Sequence, residues 1–128
     1  MNTRGRHFIL DLFECRAESL NDAELLRRLL IDAAKEAGAH VVAEVFHPFS
    51  PHGVSGVLAI EESHLSVHTW PEEGYAALDF YTCGEADPEA ALLSLARAVG
   101  AGRAELLEVT RGVSGERALQ LSQRKRIV

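Results

Sequence analysis

The chain has 128 residues, of which 47% are hydrophobic and 25% are charged, which is ordinary for one globular domain and excludes a disordered chain or a coiled coil. Its formal net charge of -6 argues against nucleic acid as the main partner, because phosphate binding depends on Lys and Arg. Cys15 and Cys83 form no CxxC pair, no signal peptide opens the chain and no apolar run reaches the roughly 18 residues of a membrane span, so we expect a cytoplasmic protein.

A strand, a helix and a second strand are predicted in the first third of the chain. Residues 7–14 are mostly apolar, which predicts a buried strand. We expect Asn21 to be the N-cap of the following helix, with Glu24 completing a capping box, and Gly38 to end it. Residues 40–46 are predicted to form the next strand. The apolar stripe of the helix comprises Leu25, Leu26, Leu29, Leu30, Ala33 and Ala37.

Three further strands are predicted in the middle of the chain. They cover residues 54–60, 64–70 and 75–82, after a loop rich in Pro and Gly. Residues 61–63 and 71–74 are predicted to form the turns between them. The loop contains Pro48, Pro51, His52 and Gly53.

A second helix and a last strand are predicted in the final third. Asp87 is the expected N-cap, with Pro88 at the first helical position, and residues 104–109 follow as a strand. The apolar stripe of this helix comprises Leu92, Leu95, Ala96 and Val99. The tail from residue 113 is expected to be a solvated or disordered end. Its basic residues are Arg117, Arg124, Lys125 and Arg126.

This order of elements predicts an α+β fold, a two-layer α/β sandwich with a mainly antiparallel sheet and helices on one face. Strand alternation directs Leu78 and Phe80 towards the helices. The opposite face would be semi-polar and would need cover, so we expect a homodimer whose sheets stack into a four-layer αββα assembly. The residues expected to share this open face are Ser55, His68, Asp79, Tyr81 and Cys83.

The middle of the chain concentrates reactive side chains. Alternation over residues 64–70 places His64 and His68 on one face of the predicted sheet. Immediately before this strand, Ser63 follows two glutamates. A serine in a tight turn can attack the carbonyl of the preceding residue and exchange the amide for an ester. A lone Glu-Ser pair, however, is usually only a polar turn.

Four motifs resemble those of the self-cleaving S-adenosylmethionine decarboxylases of bacteria and archaea. They are GRH at 5–7, FSPHGVSG at 49–56, ESHLSVHTWPE at 62–72 and GYAALDFYTCG at 74–84. The similarity runs from about Gly5 to Gly112, and only the tail lies outside it. The order and spacing of the four motifs together are highly specific.

The resemblance implies autocatalytic cleavage between Glu62 and Ser63, giving a β chain of residues 1–62 and an α chain of residues 63–128. Loss of the Ser63 α-hydrogen would release the first fragment and leave dehydroalanine, which hydrolyses to a pyruvoyl group. This ketone would form a Schiff base with the substrate amine and serve as the electron sink for decarboxylation, so no external cofactor is expected. The product would be the aminopropyl donor for spermidine biosynthesis.

The resemblance also assigns roles to three other residues. His68 would be the proton acceptor in processing, since imidazole exchanges protons near neutral pH. Ser55 would assist processing by hydrogen bonding to the attacked carbonyl. Cys83 would be the proton donor in catalysis, because a thiol is mostly protonated at neutral pH. Without the family, the simpler interpretations are a strand histidine, a turn serine and a buried thiol, and Cys15 keeps the last of these.

Substrate contacts follow from the same resemblance. Phe49 matches the ring that stacks on adenine near the sulfonium cation, and Glu72 matches the carboxylate that holds the ribose hydroxyls. The backbone around Glu62 and Leu65 is expected to line the same pocket. A solvated glutamate and a core phenylalanine are the alternatives for Glu72 and Phe49.

No metal is expected. His64 and His68 would lie about 13 Å apart along a strand, too far to share an ion, and no ligand spacing is evident for His40, His47 or His52. Two alternatives to the main function stay open. The same machinery could decarboxylate arginine or ornithine, or the chain could be a binding module that kept the fold and never cleaves.

Overall fold

A seven-stranded antiparallel sheet dominates the computed structural model, which describes residues 3–83, 85–113 and 119–128. The strands are β1 (Gly5–Phe13), β2 (His40–Pro48), β3 (Val54–Glu61), β4 (Ser63–Trp70), β5 (Tyr75–Thr82), β6 (Arg103–Arg111) and β7 (Gln120–Arg126). The helices are α1 (Ala17–Leu20), α2 (Ala23–Glu36) and α3 (Glu89–Ala98), and a 3-10 turn, Pro71–Glu73, follows β4. No helix in these described ranges is long and apolar enough to cross a membrane.

The spatial order of the strands is β2-β3-β4-β5-β1-β6-β7, so β5 and β1 lie at the centre. One face of the sheet is covered by helices, and α2 and α3 contact each other there. This arrangement confirms the predicted α+β fold with helices on one face of a mainly antiparallel sheet. We call the other side of the sheet the open face.

Alternate residues of the strands form the core against the helices. Phe8, Leu10 and Phe80 are fully buried, as are Leu30 of α2 and Leu92 of α3. Truncating such a residue to alanine typically costs about 2–5 kcal/mol, because a cavity is left in a close-packed interior. The period-two pattern of the strands therefore fixes which side chains are left for the open face.

Both predicted helix caps were wrong by one residue. Asp22, not Asn21, caps α2, and its Oδ1 accepts a hydrogen bond from the Leu25 N–H at 3.0 Å. Asn21 ends α1, a helix of four residues that the apolar pattern did not predict, and its side chain accepts from the Gly53 N–H at 2.9 Å. Two neighbouring residues with equal capping ability cannot be ranked without knowing which one a distant loop engages.

Helix α3 also begins later than predicted. Pro88 occupies the cap position, without a side-chain hydrogen bond, and Glu89 is the first helical residue. The backbone N–H of Asp87 donates to the carbonyl of Ala37 at 3.2 Å, so this residue ties the loop to the end of α2.

The tail was expected to be solvated or disordered, and where the structure describes it the tail is largely exposed but ordered as a strand. Strand β7 pairs antiparallel with β6 at the edge of the sheet. Lys125 pairs with Glu89 of α3 at 2.7 Å, and the Ile127 N–H donates to the Ala104 carbonyl at 2.9 Å. The polar sequence of β7 concealed it, because an edge strand exposed on both faces shows no apolar alternation. Arg117 lies outside the described residues.

Candidate active site

The open face carries most of the reactive side chains predicted from sequence. In β4, Leu65 and Val67 are buried towards the helices, whereas the alternating polar residues face the other way. The register pairs Ser55 with His68 and His64 with Tyr81, and paired residues share a face. The expectation that Ser55, His68, Asp79 and Tyr81 share one face is thus confirmed, and Cys83 follows the last residue of β5.

These residues form two groups at opposite ends of β4. We define the Ser63 cluster as Ser63, Cys83, Tyr81, His7, His64, Ser66, Asp79 and Arg111. We define the His68 cluster as His68, Ser55, His47, Phe49, His52 and Glu72. Ser63 and His68 are five positions apart on one strand, so their Cα atoms are separated by about 17 Å. The chain therefore does not bring its own predicted site residues together.

Ser63 begins β4 directly after a two-residue turn, since Ile60 and Ser63 are paired across the hairpin. Its φ is 142°, in a region that residues other than glycine rarely adopt. The Cys83 N–H donates to the Glu62 carbonyl at 3.4 Å. The carbonyl of the predicted scissile bond thus already has a backbone donor beside it.

A hydrogen-bonded network centred on Asp79 occupies the middle of the Ser63 cluster. Its Oδ2 lies 2.6 Å from His7 Nε2 and 2.8 Å from His64 Nε2, and the Ser66 hydroxyl donates to its Oδ1. Burial alone would raise the pKa of Asp79, but the hydrogen bonds from Ser66, His64 and His7 outweigh it, so the pKa lies below its ordinary value. Asp79 therefore stays ionised at neutral pH.

The same residues resemble a metal-binding set. The ligand atoms of His7, His64 and Asp79 lie within 4.8 Å of one another. Arg111, which can only donate, lies 3.1 Å from His7 Nδ1, so Nδ1 accepts and Nε2 holds the ring proton. A metal on Nε2 would require that proton to move to Nδ1, where Arg111 already donates. The geometry favours a hydrogen-bonded network over a metal centre.

This network is not evident from the histidines of one strand alone. His7 lies on β1 and reaches the site only through the register, which pairs it with Tyr81 of β5. The signal that could have identified it is the position of His7 in the first motif combined with a central location for β1.

The His68 cluster contains a cross-strand serine-histidine pair. Ser55 Oγ lies 2.7 Å from His68 Nδ1, and the His68 side chain is exposed. Donation from Nδ1–H to Ser55 would leave the Nε2 lone pair free to accept a proton. His47, paired with Ser55 in the register, packs edge-on against Phe49 with ring centroids 4.7 Å apart.

The loop that presents Phe49 is held by backbone hydrogen bonds. The Phe49 N–H donates to the Gly53 carbonyl at 2.8 Å, and the Gly53 N–H donates to Asn21. Gly53 has a φ of 104°, which favours glycine at this position. Phe49 is 50% exposed, so its ring has a free surface on which a flat ligand could stack.

Glu72 lies in the 3-10 turn after β4, where it forms an ion pair with His52. Both side chains are about two-fifths exposed, and they line one shallow cavity together with Asn21 and Pro71. Leu65 differs from the other predicted contacts, because its side chain is fully buried on the helix side. Only the backbone of Leu65 is available to a ligand on the open face.

Comparison with known proteins gives consistent results. The family model described as S-adenosylmethionine decarboxylase matches residues 6–112. The S-adenosylmethionine decarboxylase proenzyme of Anoxybacillus flavithermus is 47% identical over 113 residues, covering 88% of this chain and 91% of that protein. The proenzyme of the same name from Bacillus cytotoxicus is 44% identical over 126 residues, covering 98% and 95%.

A solved structure is similar over nearly the whole chain. The crystal structure of the adenosylmethionine decarboxylase from Aquifex aeolicus matches with a TM-score of 0.77 and 34% identity. The match covers 94% of this chain and 100% of that one. Fold and sequence therefore point to the same family.

Proposed function

This chain belongs to the S-adenosylmethionine decarboxylase family, and from that premise we propose that it is a proenzyme that cuts itself between Glu62 and Ser63. It is an enzyme, a carboxy-lyase acting on S-adenosylmethionine. Cleavage gives residues 1–62 and 63–128, and Ser63 becomes the pyruvoyl group. The decarboxylated product serves as the aminopropyl donor for spermidine biosynthesis.

The observation that carries this proposal is the position of Cys83 beside the Glu62–Ser63 bond. Attack of Ser63 Oγ on the Glu62 carbonyl carbon exchanges the amide for an ester and develops negative charge on the carbonyl oxygen. The Cys83 N–H, 3.4 Å from that oxygen, is placed to stabilise this charge as it develops. The positive φ of Ser63 supports the proposal, since strained backbone is concentrated at functional turns.

The next step needs a base, and the predicted base lies far from Ser63 in the same chain. Ester elimination removes the Ser63 α-hydrogen, and the Glu62 carboxylate leaves with the electron pair of the broken carbon–oxygen bond. His68 is the proposed base, but it lies about 17 Å from Ser63 along β4. We therefore propose that His68 and Ser55 act on Ser63 of a second copy, in a homodimer stacked through the open faces.

The side chains of the open face support such a dimer. Ile9, Val45 and Val57 are 39%, 69% and 42% exposed, although all three lie on strands of the sheet. Their register places them in one row across the face, with Ser66 and Asp79 between them. An exposed apolar row with a satisfied polar centre is suited to packing against a second sheet about 10 Å away.

Substrate binding follows the same division. Phe49 would stack on adenine and attract the sulfonium cation, while Glu72 would accept hydrogen bonds from the ribose hydroxyls. Both belong to the His68 cluster, so the dimer would place them near Ser63 of the other copy. His52 forms an ion pair with Glu72 in this structure, and opening that pair would free one carboxylate oxygen of Glu72 to bind the ribose.

The residues around Ser63 fit the group expected there. Ser63 is half-buried at the start of a strand, and the residue before it is bonded to the backbone of Cys83, so a carbonyl formed at position 63 would lie close in the chain to the proposed proton donor. The pyruvoyl ketone, once formed, supplies the electron sink for decarboxylation. Cys83 then donates a proton to the substrate α-carbon. Its thiol must stay reduced for this role, which is consistent with a cytoplasmic location.

Two measurements on the purified protein test the proposal. Intact mass should show two fragments, each about half of 14.0 kDa, in place of one species. CO2 release should then occur with S-adenosylmethionine and not with ornithine or arginine offered in parallel. A single uncleaved species would instead identify a binding module. Release from an amino acid would leave the cleavage chemistry intact and contradict the proposed substrate.

A further inference from the structure

The ring of Tyr81 is in contact with three other side chains of the Ser63 cluster. The rings of His7 and Tyr81 lie 5.1 Å apart at an interplanar angle of 31°. The Arg111 guanidinium lies 4.4 Å from the centre of the Tyr81 ring, and His64 packs against it edge-on at 6.0 Å. Three polar residues therefore fix this ring, although none of them touches the Glu62–Ser63 bond in the described hydrogen bonds.

Gly5 of β1 lies directly against the Tyr81 ring. A Cβ at this position would lie 2.6 Å from Tyr81 Cε1 and 3.0 Å from its hydroxyl oxygen. The φ of Gly5 is not in the left-handed region, so its backbone does not require glycine. The lack of a side chain at Gly5 is what lets the Tyr81 ring lie flat across β1.

Tyr81 and Cys83 are two positions apart and so point to the same face, and the Tyr81 hydroxyl lies against Gly5, next to the Arg6–Thr82 pair of the β1–β5 register. The hydroxyl therefore lies towards Cys83, and a hydrogen bond between the two side chains contributes to the raised pKa of Tyr81. We propose that Tyr81 is a positioning residue for Cys83. The Tyr81 O–H orients the Cys83 thiol and then stabilises the thiolate that remains after the thiol has donated its proton. The inference rests on the proposed function, in which Cys83 is the proton donor. It adds a residue outside the set assigned by sequence and a reason for the polar network around it.

When Cys83 gives its proton to the substrate carbon, the sulfur keeps the electron pair as a thiolate. The Tyr81 O–H donates to that sulfur but keeps its own proton, and water later reprotonates the thiolate. Burial raises the pKa of Tyr81, and the hydrogen bond to Cys83 and its negative charge raise it further, against the opposing effect of Arg111. Tyr81 thus remains a donor throughout the neutral range.

The chain supplies a matched control, since it contains only two tyrosines. Tyr75 lies on the same strand and the same face, but its hydroxyl donates to Asp11 at 2.6 Å. Tyr75→Phe and Tyr81→Phe each remove one hydrogen-bonded hydroxyl from β5. Only the second removal affects Cys83 if the proposal holds.

The test measures the rate at which iodoacetamide alkylates Cys83 in the full chain carrying Ser63→Ala. This background remains one chain, so the result does not depend on cleavage. Cys15 is an internal reference, because burial raises its pKa to about 11 and keeps it slow to react. Alkylation at each cysteine is followed by mass spectrometry of peptides over a range of pH, with folding checked by circular dichroism.

Tyr81→Phe should slow alkylation of Cys83 roughly fivefold at neutral pH, because the thiolate loses a hydrogen-bond donor. The pH at which the alkylation rate rises should shift to a higher value. Tyr75→Phe should leave both unchanged. Gly5→Ala retains both hydroxyls but displaces the Tyr81 ring, so it should slow Cys83 in the same direction. Equal rates in Tyr81→Phe and Tyr75→Phe would overturn the proposal.

A second measurement needs no reaction at Cys83 and no change at Tyr81. In the Tyr75→Phe background, absorbance at 295 nm reports the titration of Tyr81 alone among the tyrosines. Adding Cys83→Ala should lower the titration midpoint of Tyr81, since the thiolate that opposes its ionisation is gone. An unchanged midpoint would overturn the pairing, whether or not the protein proves to cleave itself.

Discussion

The Ser63 and His68 clusters lie at opposite ends of β4 and differ in how far a single chain completes them. Asp79, at the centre of the Ser63 cluster, receives hydrogen bonds from Ser66, His64 and His7, and the same two histidines together with Arg111 surround the Tyr81 ring. His68 is exposed, its hydrogen bond among the described contacts is to Ser55, and the ring of Phe49 is half free. One cluster is internally satisfied, whereas the other presents its groups outward.

This contrast indicates a division of labour. The Ser63 cluster contains the bond proposed to break and the proposed thiol donor, a role that requires its own chain to hold it rigidly. The His68 cluster contains the proposed base and substrate contacts, a role that requires it to be available to a target elsewhere. The distance of about 17 Å between Ser63 and His68 along β4 is the reason why we propose that two chains complete the site.

His68→Ala should have the largest effect. Losing the base should slow self-cleavage about 1000-fold, measured by intact mass over time after synthesis. His47→Ala removes another imidazole from the same cluster, without a hydrogen bond to Ser55, and should leave cleavage essentially unchanged. Equal cleavage by the two variants would remove the chemical distinction between these histidines.

Cys83→Ala should separate the two activities of the Ser63 cluster. The backbone N–H that faces the Glu62 carbonyl survives the substitution, so cleavage should continue. CO2 release should fall about 100-fold, because the proton donor is lost. Cys15→Ala, at a buried position on the helix side, should retain both activities. Loss of cleavage in Cys83→Ala would mean that the thiol, and not the N–H, acts on the carbonyl.

Asp79→Asn should test whether the Ser63 cluster is rigid for the reason given. The folded protein holds the pKa of Asp79 below its ordinary value, so this carboxylate stabilises the fold above about pH 4 and the stabilisation is lost as pH falls further. The substitution should lower the free energy of unfolding by about 2 kcal/mol at pH 7. It should also reduce the amount by which this free energy falls when the pH is lowered. Urea titrations at several pH values measure both.

Glu105→Gln is the matched control for that experiment. Glu105 lies on β6 of the same face and pairs with Arg103 at 3.5 Å, with both side chains well exposed. Its substitution should change the free energy of unfolding by less than about 1 kcal/mol. Comparable losses in the two variants would show that the Asp79 network is no more than an ordinary surface interaction.

Glu72→Gln should have the smallest effect. Weaker hydrogen bonds to the ribose should raise the KM for S-adenosylmethionine about tenfold while kcat changes less. Glu73→Gln changes the neighbouring residue of the same exposed turn and should leave KM unchanged. A fall in kcat alone would assign Glu72 to the chemistry instead of to binding.

The sequence was sufficient for the architecture because alternation and helical stripes report burial directly. It placed β5 at Tyr75–Thr82 and sorted Leu78 and Phe80 to the core correctly. It failed for α1 and β7, since a four-residue helix has no stripe and a polar edge strand has no alternation. The start of α2 shifted by one residue because Asn21 ends α1 and its side chain binds a loop.

The candidate site was accessible from sequence only as a set of residues. The motifs identified Ser63, His68 and Cys83 as a set. The rise per residue along β4, however, places Ser63 and His68 far apart in one chain. The contact of Tyr81 with His7 depends on the register between β1 and β5, and no local pattern encodes that register.

The most direct test of the account is a mixed dimer of two inactive chains. A Ser63→Ala chain and a His68→Ala chain, with different tags, are co-expressed, and the dimer carrying both tags is purified. Its single complete site combines Ser63 of the second chain with His68 of the first. The account predicts that the His68→Ala chain is cleaved in this mixed dimer, although neither variant is cleaved when expressed alone. An uncleaved mixed dimer would contradict a site shared between two chains.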